Sequence, residues 1–294
     1  MLERSKLYAE SWNVAWRKKQ PSLLIGDCHT EFHVIKNSFR YWAADPFAFE
    51  ENNELYIFAE LYDYIRRRGI LGFYKLTGEK SGKWIPIIVE DFHMSYPCIF
   101  RMGADIYIMP EANQGEQLFW YKATEFPYKW EKVKVLYKDV RYADTTPLLP
   151  GEYNHFVTYE VTDPYHPKFI YLDTENPDNN QVLNFSNVEL RRSAGSPFEL
   201  NGKIFRPAQN CTDDYGKGLI FYEDTIINES VFEEYEVKRV FSEELTFDHK
   251  IFLDGMHTYN ISENYEVIDI KTRRLNVLNL LSRFWGKAAA RMKG

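Results

Sequence analysis

Ala44-Asp-Pro-Phe-Ala-Phe49 is followed by the turn signal Glu51-Asn-Asn53 and then by Leu55-Tyr-Ile-Phe-Ala-Glu60. The same two-part phrase returns as Ser95-Tyr-Pro-Cys-Ile-Phe100 with Ile106-Tyr-Ile-Met-Pro-Glu111, and as Asp144-Thr-Thr-Pro-Leu-Leu149 with His155-Phe-Val-Thr-Tyr-Glu160. A fourth copy is Gly195-Ser-Pro-Phe-Glu-Leu200, the turn Asn201-Gly202 and Lys203-Ile-Phe-Arg-Pro-Ala-Gln209. Anchored on Pro46, Pro97, Pro147 and Pro197, the copies are spaced by 51, 50 and 50 residues. Each phrase reads as a hairpin, and two further strand-like runs follow it, such as Gly69 to Leu76 and Trp84 to Val89. Four strands per repeat at this period describe the blades of a β-propeller.

A fifth, weaker unit is Met256-His-Thr-Tyr-Asn-Ile261 with Glu266-Val-Ile-Asp-Ile270, and Leu23 to Gly26 and Glu31 to Ile35 are available to complete it and close the ring. The expected fold is all-β: a five-bladed β-propeller over 21–270, preceded by an N-terminal segment 1–20. It is followed at 271–294 by a short, basic, amphipathic C-terminal helix, with Leu275, Leu278, Leu281 and Trp285 at helical spacing.

Composition supports this reading. Tyr, Phe and Trp number 21, 21 and 7 in 294 residues, and flat rings suit pleated surfaces. The net charge is −7, which argues against a nucleic-acid partner. That charge is uneven: Lys271 to Gly294 carries seven basic and no acidic residues, leaving 29 basic against 43 acidic in the remainder. Cys28, Cys98 and Cys211 form no CxxC pair, so a zinc site or disulfide framework is not expected. No apolar run reaches 18 residues and no secretory signal is read at the N-terminus. The expectation is a cytoplasmic protein, peripheral on the inner membrane face through 271–294. The same helix can instead pack on the propeller or make a homo-oligomer.

In a propeller the innermost strands line a central channel. The repeated starts place Asp45, Tyr96, Asp144 or Thr146, Ser196 and His257 near one mouth, and the second strands end in Glu60, Glu111, Glu160 and Gln209. Crowded carboxyl groups raise one another's pKa, and carboxyls with separated pKa values divide acid and base roles, as glycoside chemistry requires. Turn-capping by the same Asp and Glu residues is the structural alternative. Arg206, Gln209 and Asn210 add polar side chains to an apolar strand, and Trp42, Trp120, Tyr96 and Tyr215 are candidate stacking surfaces for a sugar or core packing. Ile65-Arg-Arg-Arg-Gly69 is a basic turn, either solvated or phosphate-contacting. No cofactor is indicated. A channel calcium suits such oxygens, but no spacing demands one, and no metal ligand is assigned.

Ala44-Asp-Pro-Phe with Phe58-Ala-Glu60, Tyr96-Pro with Met109-Pro-Glu111, Arg206-Pro-Ala-Gln-Asn with Tyr215-Gly, and Asp254-Gly-Met-His-Thr form an ordered series. The series resembles the N-terminal domain of plant glucosamine inositolphosphorylceramide transferases and its stand-alone bacterial relatives. Through that domain it is similar to the five-bladed propellers of arabinanases, β-xylosidases, invertases and levansucrases. The resemblance implies a carbohydrate-active enzyme, a glycosyltransferase or glycoside hydrolase of surface-polysaccharide or glycolipid assembly. Its substrate would be a sugar, a nucleotide-sugar or a lipid-linked glycan. It implies Asp45 as base or nucleophile, Asp144 as the tuning carboxylate, and Glu111 or Glu160 as the acid, because blade four offers Ser196 where the glycosidases carry Glu. Glu60, Tyr96, Ser196, Arg206, Gln209, Asn210, Tyr215 and His257 are the expected substrate contacts. A non-catalytic sugar-binding or scaffold propeller is the alternative.

Overall fold

Strand β4 (Glu54–Asp63) shows why these sequences make blades. Successive side chains of a strand point to opposite faces. Leu55, Ile57, Ala59 and Leu61 enter one apolar cluster, whereas Tyr56 and Phe58 enter another. Both faces are therefore buried, and the strand reads as a nearly continuous apolar run. Sheets of this kind are stable only when stacked between two others, and a ring of them satisfies every member.

A computed structural model describes residues 8–20, 24–27, 29–76, 82–163, 166–212, 214–228 and 231–275. It shows five four-stranded antiparallel sheets. Blade one is β3 (Tyr41–Glu51), β4, β5 (Arg68–Leu76) and β6 (Ile85–Ile88). Blade two is β7 (Ser95–Met102), β8 (Asp105–Glu111), β9 (Gln117–Glu125) and β10 (Lys129–Lys138). Blade three is β11 (Tyr142–Pro147), β12 (His155–Glu160), β13 (Lys168–Asp173) and β14 (Gln181–Leu183). Blade four is β15 (Phe198–Leu200), β16 (Lys203–Asn210), β17 (Gly218–Asn228) and β18 (Val231–Phe241).

Blade five closes the ring with strands from both ends of the chain. Its order is β19 (Tyr259–Ile261), β20 (Tyr265–Leu275), β1 (Tyr8–Lys18) and β2 (His33–Val34). β1 pairs with β20 along its whole length, from Tyr8 opposite Leu275 to Lys18 opposite Tyr265. The third strand of this blade is thus β1, from the segment expected to precede the propeller, and not Leu23 to Gly26. β20 also runs past the expected boundary at 270. The charges of β1 disguised it: Arg17 is buried against Glu266, with Nη2 to Oε2 at 2.7 Å. Residues 276–294, with most of the expected helix, lie outside the described residues.

The inner strands carry a shared defect. The register skips from Ala44 to Phe47 in β3, from Ser95 to Cys98 in β7 and from Ala143 to Thr146 in β11. Asp45, Tyr96 and Asp144, the first residue of each bulge, have φ of 50°, 45° and 50°. Proline at 46 and 97 has no N–H to donate, which suits it to a bulge. Left-handed non-glycine residues are strained and cluster at functional sites.

Candidate active site

Each bulge frees a backbone N–H into the channel, and a carboxylate from the blade before it accepts that N–H. The Asp45 N–H donates to Asp269 Oδ2 of blade five at 3.1 Å, and the Tyr96 N–H to Asp45 Oδ2 at 3.2 Å. The Asp144 N–H donates to Glu111 Oε2, also at 3.2 Å. The acidic ring thus has a structural duty: it satisfies donors that the bulges leave unpaired. Glu60 is the exception. On β4, opposite Ala44, it occupies the place that Glu111 holds opposite Ser95. Asp45 has taken the Tyr96 N–H that Glu60 would otherwise serve. Glu60 is buried and its Oε1 has no hydrogen-bond partner among the described residues.

Glu60 sits in a prepared niche. Gly69 faces it, and a Cβ there would lie 2.5 Å from Glu60 Oε1. His93 Nδ1 accepts the Gly69 N–H at 2.9 Å, so the neutral ring carries its proton on Nε2, which is 3.5 Å from Glu60 Oε1. Burial, reinforced by the charges of Asp45 and Glu111, raises the Glu60 pKa well above the carboxylate range. Burial also pushes Asp45 up to about 6, against the opposing pull of His257.

His257 bridges the acids on the blade-five side. Its Nδ1 is 2.6 Å from Asp269 Oδ2 and its Nε2 is 3.6 Å from Asp45 Oδ1. Burial disfavours the imidazolium, but Asp269 and Asp45 outweigh it and the pKa is raised. Trp12 stacks on the imidazole at 4.0 Å, and Tyr215 meets its edge at 5.2 Å. Thr258 Oγ1 donates to Asp45 Oδ1 at 2.9 Å. Asp45, His257 and Asp269 each place a potential ligand atom within 4.8 Å of the others. Asp269 already accepts the backbone N–H groups of His257, Thr258 and Asp45, so its oxygens are occupied as they stand.

The blade-three and blade-four side is clamped. Arg192 Nε donates to Asp144 Oδ2 at 2.5 Å, and its Nη2 reaches Glu111 Oε2 at 3.4 Å. Gln209 Nε2 donates to the same Asp144 oxygen at 2.7 Å. Burial and Asp144 hold Glu111 well above the carboxylate range, although Arg192 pulls the other way.

The mouth therefore assembles Asp45, Glu60, Glu111, Asp144, Gln209 and His257 as the repeats suggest, with Tyr215, a candidate stacking surface, beside His257. Other candidates lie elsewhere. Glu160 pairs opposite Tyr142, while Tyr159, opposite Ala143, takes the place equivalent to Glu60 and Glu111. The carboxylate of Glu160 instead meets Lys168 at 3.1 Å. Arg206 is wholly buried against Glu234, with Nη2 to Oε2 at 2.6 Å, and also donates to the Arg191 carbonyl. Asn210 Oδ1 accepts the Thr212 hydroxyl at 2.7 Å and so braces the next turn. Tyr96 is fully buried, its hydroxyl 2.8 Å from Thr146, and ties blade two to blade three. Ser196 lines a separate cavity of about 180 Å³ with Cys98, Tyr153 and Asn260. Trp120 is core, and Trp42 stacks on Tyr62 at 4.9 Å.

Five contributors escaped the sequence reading: Trp12, His93, Arg192, Thr258 and Asp269. Asp269 was legible, because the acidic position near the end of each second strand recurs in Glu266 to Ile270. Trp12 was hidden by the assignment of β1 outside the ring, and Arg192 stands before the repeat phrase.

The five-bladed propeller is a fold that this chain shares with solved glycoside hydrolases. The catalytic domain of a GH62 α-L-arabinofuranosidase from Coprinopsis cinerea superposes with a TM-score of 0.60 at 10% identity, covering 89% of this chain and 97% of its own. A GH62 hydrolase solved in complex with xylotriose gives 0.57 at 10% identity, covering 86% and 97%. At such identities the likeness is one of fold. The chain belongs to the family described as glucosamine inositolphosphorylceramide transferase 1, N-terminal, whose model matches residues 10–263. It is 28% identical over 210 residues to glucosamine inositolphosphorylceramide transferase 1 of Arabidopsis thaliana, covering 66% of this chain and 27% of that one. The chain thus spans about a quarter of the length of that relative.

Proposed function

We propose that the mouth binds a sugar and acts on a glycosidic bond, with Asp45 as base and Glu60 as acid. The observation that supports this is the exception in the ring. Glu111, Asp144 and Asp269 are engaged by backbone donors, Arg192 or Gln209, whereas Glu60 Oε1 is buried with no hydrogen-bond partner among the described residues and only His93 Nε2 near it, at 3.5 Å. A carboxyl held protonated by burial is the form a general acid needs. Asp45, with a pKa of about 6, is ionised at neutral pH. Glu60 gives its proton to the leaving oxygen as the bond from the anomeric carbon breaks. Asp45 takes the proton of the attacking hydroxyl, from water in hydrolysis or from an acceptor in transfer, as the new C–O bond forms. Tyr215, half-exposed beside His257, offers a stacking face.

The sugar-binding reading without catalysis draws on the clamp at Asp144 and Glu111, which occupies two of the ring's carboxylates. One experiment separates the two. Wild type, Asp45→Asn and Glu60→Gln are incubated with p-nitrophenyl arabinofuranosides and xylosides and with a panel of nucleotide-sugars, and both binding and turnover are read. The catalytic reading expects wild-type turnover to fall by about 10³-fold or more in either variant, with binding retained. Binding without wild-type turnover would leave recognition as the function, and unchanged turnover in both variants would remove the assignment.

A further inference from the structure

The basic turn after β4 and the loop before β3 meet at the mouth end of blade one. The Tyr64 N–H donates to the Arg40 carbonyl at 3.1 Å, which locks the two tips side by side. Buried Asp63 braces both from below. Its Oδ1 accepts the Ile65 N–H at 2.8 Å, and its Oδ2 takes the guanidinium groups of Arg40 and Arg66 at 2.8 and 2.7 Å. What this frame holds outward is apolar: Phe39 is fully exposed and Ile65 is 74% exposed, with Tyr64 beside them at 42%. A single exposed apolar side chain needs no explanation, but two at the apices of braced neighbouring loops make a presented surface.

Its charge names the partner. Residues 36–40 and 63–68 contain five Lys and Arg against one acid, the buried Asp63, on a chain whose net charge is −7. β20 passes Asp269 at the mouth, and its last described residue, Leu275, lies toward this same face. The sequence that continues from it carries Arg283, Lys287, Arg291 and Lys293 and no acid. From the braced tips, their charge and the position of Leu275 before the basic sequence, we propose that this face docks on an anionic phospholipid surface. Phe39 and Ile65 enter the acyl boundary, and Arg40, Arg66 and Arg67 contact the phosphates. The channel mouth then faces the lipid. The proposal stands whether or not the mouth is catalytic.

The test is co-sedimentation of the full chain with vesicles of phosphatidylcholine alone and of phosphatidylcholine with one quarter phosphatidylglycerol, at low and high salt. Wild type is expected to partition onto the anionic vesicles and to be released by salt. Phe39→Ser/Ile65→Ser is expected to lower that partitioning about tenfold or more, and Arg66→Gln/Arg67→Asn to lower it and flatten the salt response. Val133→Ser/Val135→Ser, exposed apolar residues of the outer strand β10, is expected to bind as wild type does. Equal sedimentation of wild type and Phe39→Ser/Ile65→Ser, equal binding to neutral vesicles, or no binding would overturn the proposal. So would a wild-type dimer that Phe39→Ser/Ile65→Ser dissociates, which would assign the patch to a second copy. All the substituted side chains are surface groups, and unchanged thermal unfolding verifies that each variant folds.

Discussion

Arg206 and the channel mouth are both buried and both charged, and they differ in balance. Arg206 and Glu234 are joined by bidentate bonds of 2.6 to 3.0 Å, neither side chain exposed, and Arg191 caps the same carboxylate from the rim. The mouth brings five carboxyl groups, Asp45, Glu60, Glu111, Asp144 and Asp269, against Arg192 and His257. Charges that answer one another hold strands together and ask nothing of a ligand. An unbalanced cluster is a standing cost that a fold retains where chemistry or recognition uses it.

The largest effect expected from this contrast is structural. Arg206→Ala strands Glu234 in a dry site beside Arg191 alone, and should destabilise the protein by about 3–5 kcal/mol. Arg206→Met/Glu234→Leu removes both buried charges and should regain part of the loss, the remainder being the cost of leaving Arg191, 13% exposed, without Glu234. Urea unfolding of the single and double variants measures both. A single variant that costs less than about 1 kcal/mol would erase the distinction between the two regions.

The mouth should behave in the opposite sense. The pKa of Asp45 is about 6, against an ordinary 3.8, so the folded protein holds this proton more tightly than the unfolded chain. Its contribution to stability is present in full below about pH 4 and is lost as pH rises through about 6, amounting to about 3 kcal/mol for a shift near two units. His257, also raised, adds a loss of the same sign at higher pH. Asp45→Asn abolishes the first slope. It should match wild type near pH 4 and exceed it by about 1–3 kcal/mol at pH 8, while losing function. Urea midpoints at pH 4.5, 6 and 8 give the comparison. A less stable Asn variant at pH 8 would show that Asp45 serves mainly to hold the Tyr96 N–H.

The repeats made the blades legible because each strand is buried on both faces and its alternation survives in the letters. They made half the mouth legible for the same reason: Asp45, Glu60, Glu111 and Asp144 follow the repeat. What stayed hidden depended on partners far away in sequence. Arg17 looks solvated until Glu266 is seen beside it, and that concealed β1 and with it Trp12. Arg206 looks like a ligand contact until Glu234 arrives from β18. Asp144 stands two residues out of step with the proline anchors, because in blade three the bulge precedes Pro147 by three residues and not one.

That slip carries the smallest prediction. Aligning the ends of the second strands puts Glu160 in line with Glu60 and Glu111, but the strand register decides which face a side chain takes, and an error of one residue reverses it. The register pairs Tyr159 with Ala143, so Tyr159 turns toward Arg192, whose guanidinium lies 5.9 Å from its ring. Glu160 points away from the mouth, where Lys168 and Thr162 meet it near solvent. Glu160→Gln removes a surface ion pair and should change stability by no more than about 0.5 kcal/mol. Sugar binding and turnover should equal wild type, whereas Glu60→Gln, at the equivalent end of its own strand, should lose turnover about 10³-fold. Parallel assays of these two variants test the register directly. A loss in Glu160→Gln approaching that in Glu60→Gln would mean that blade three presents Glu160 to the mouth after all.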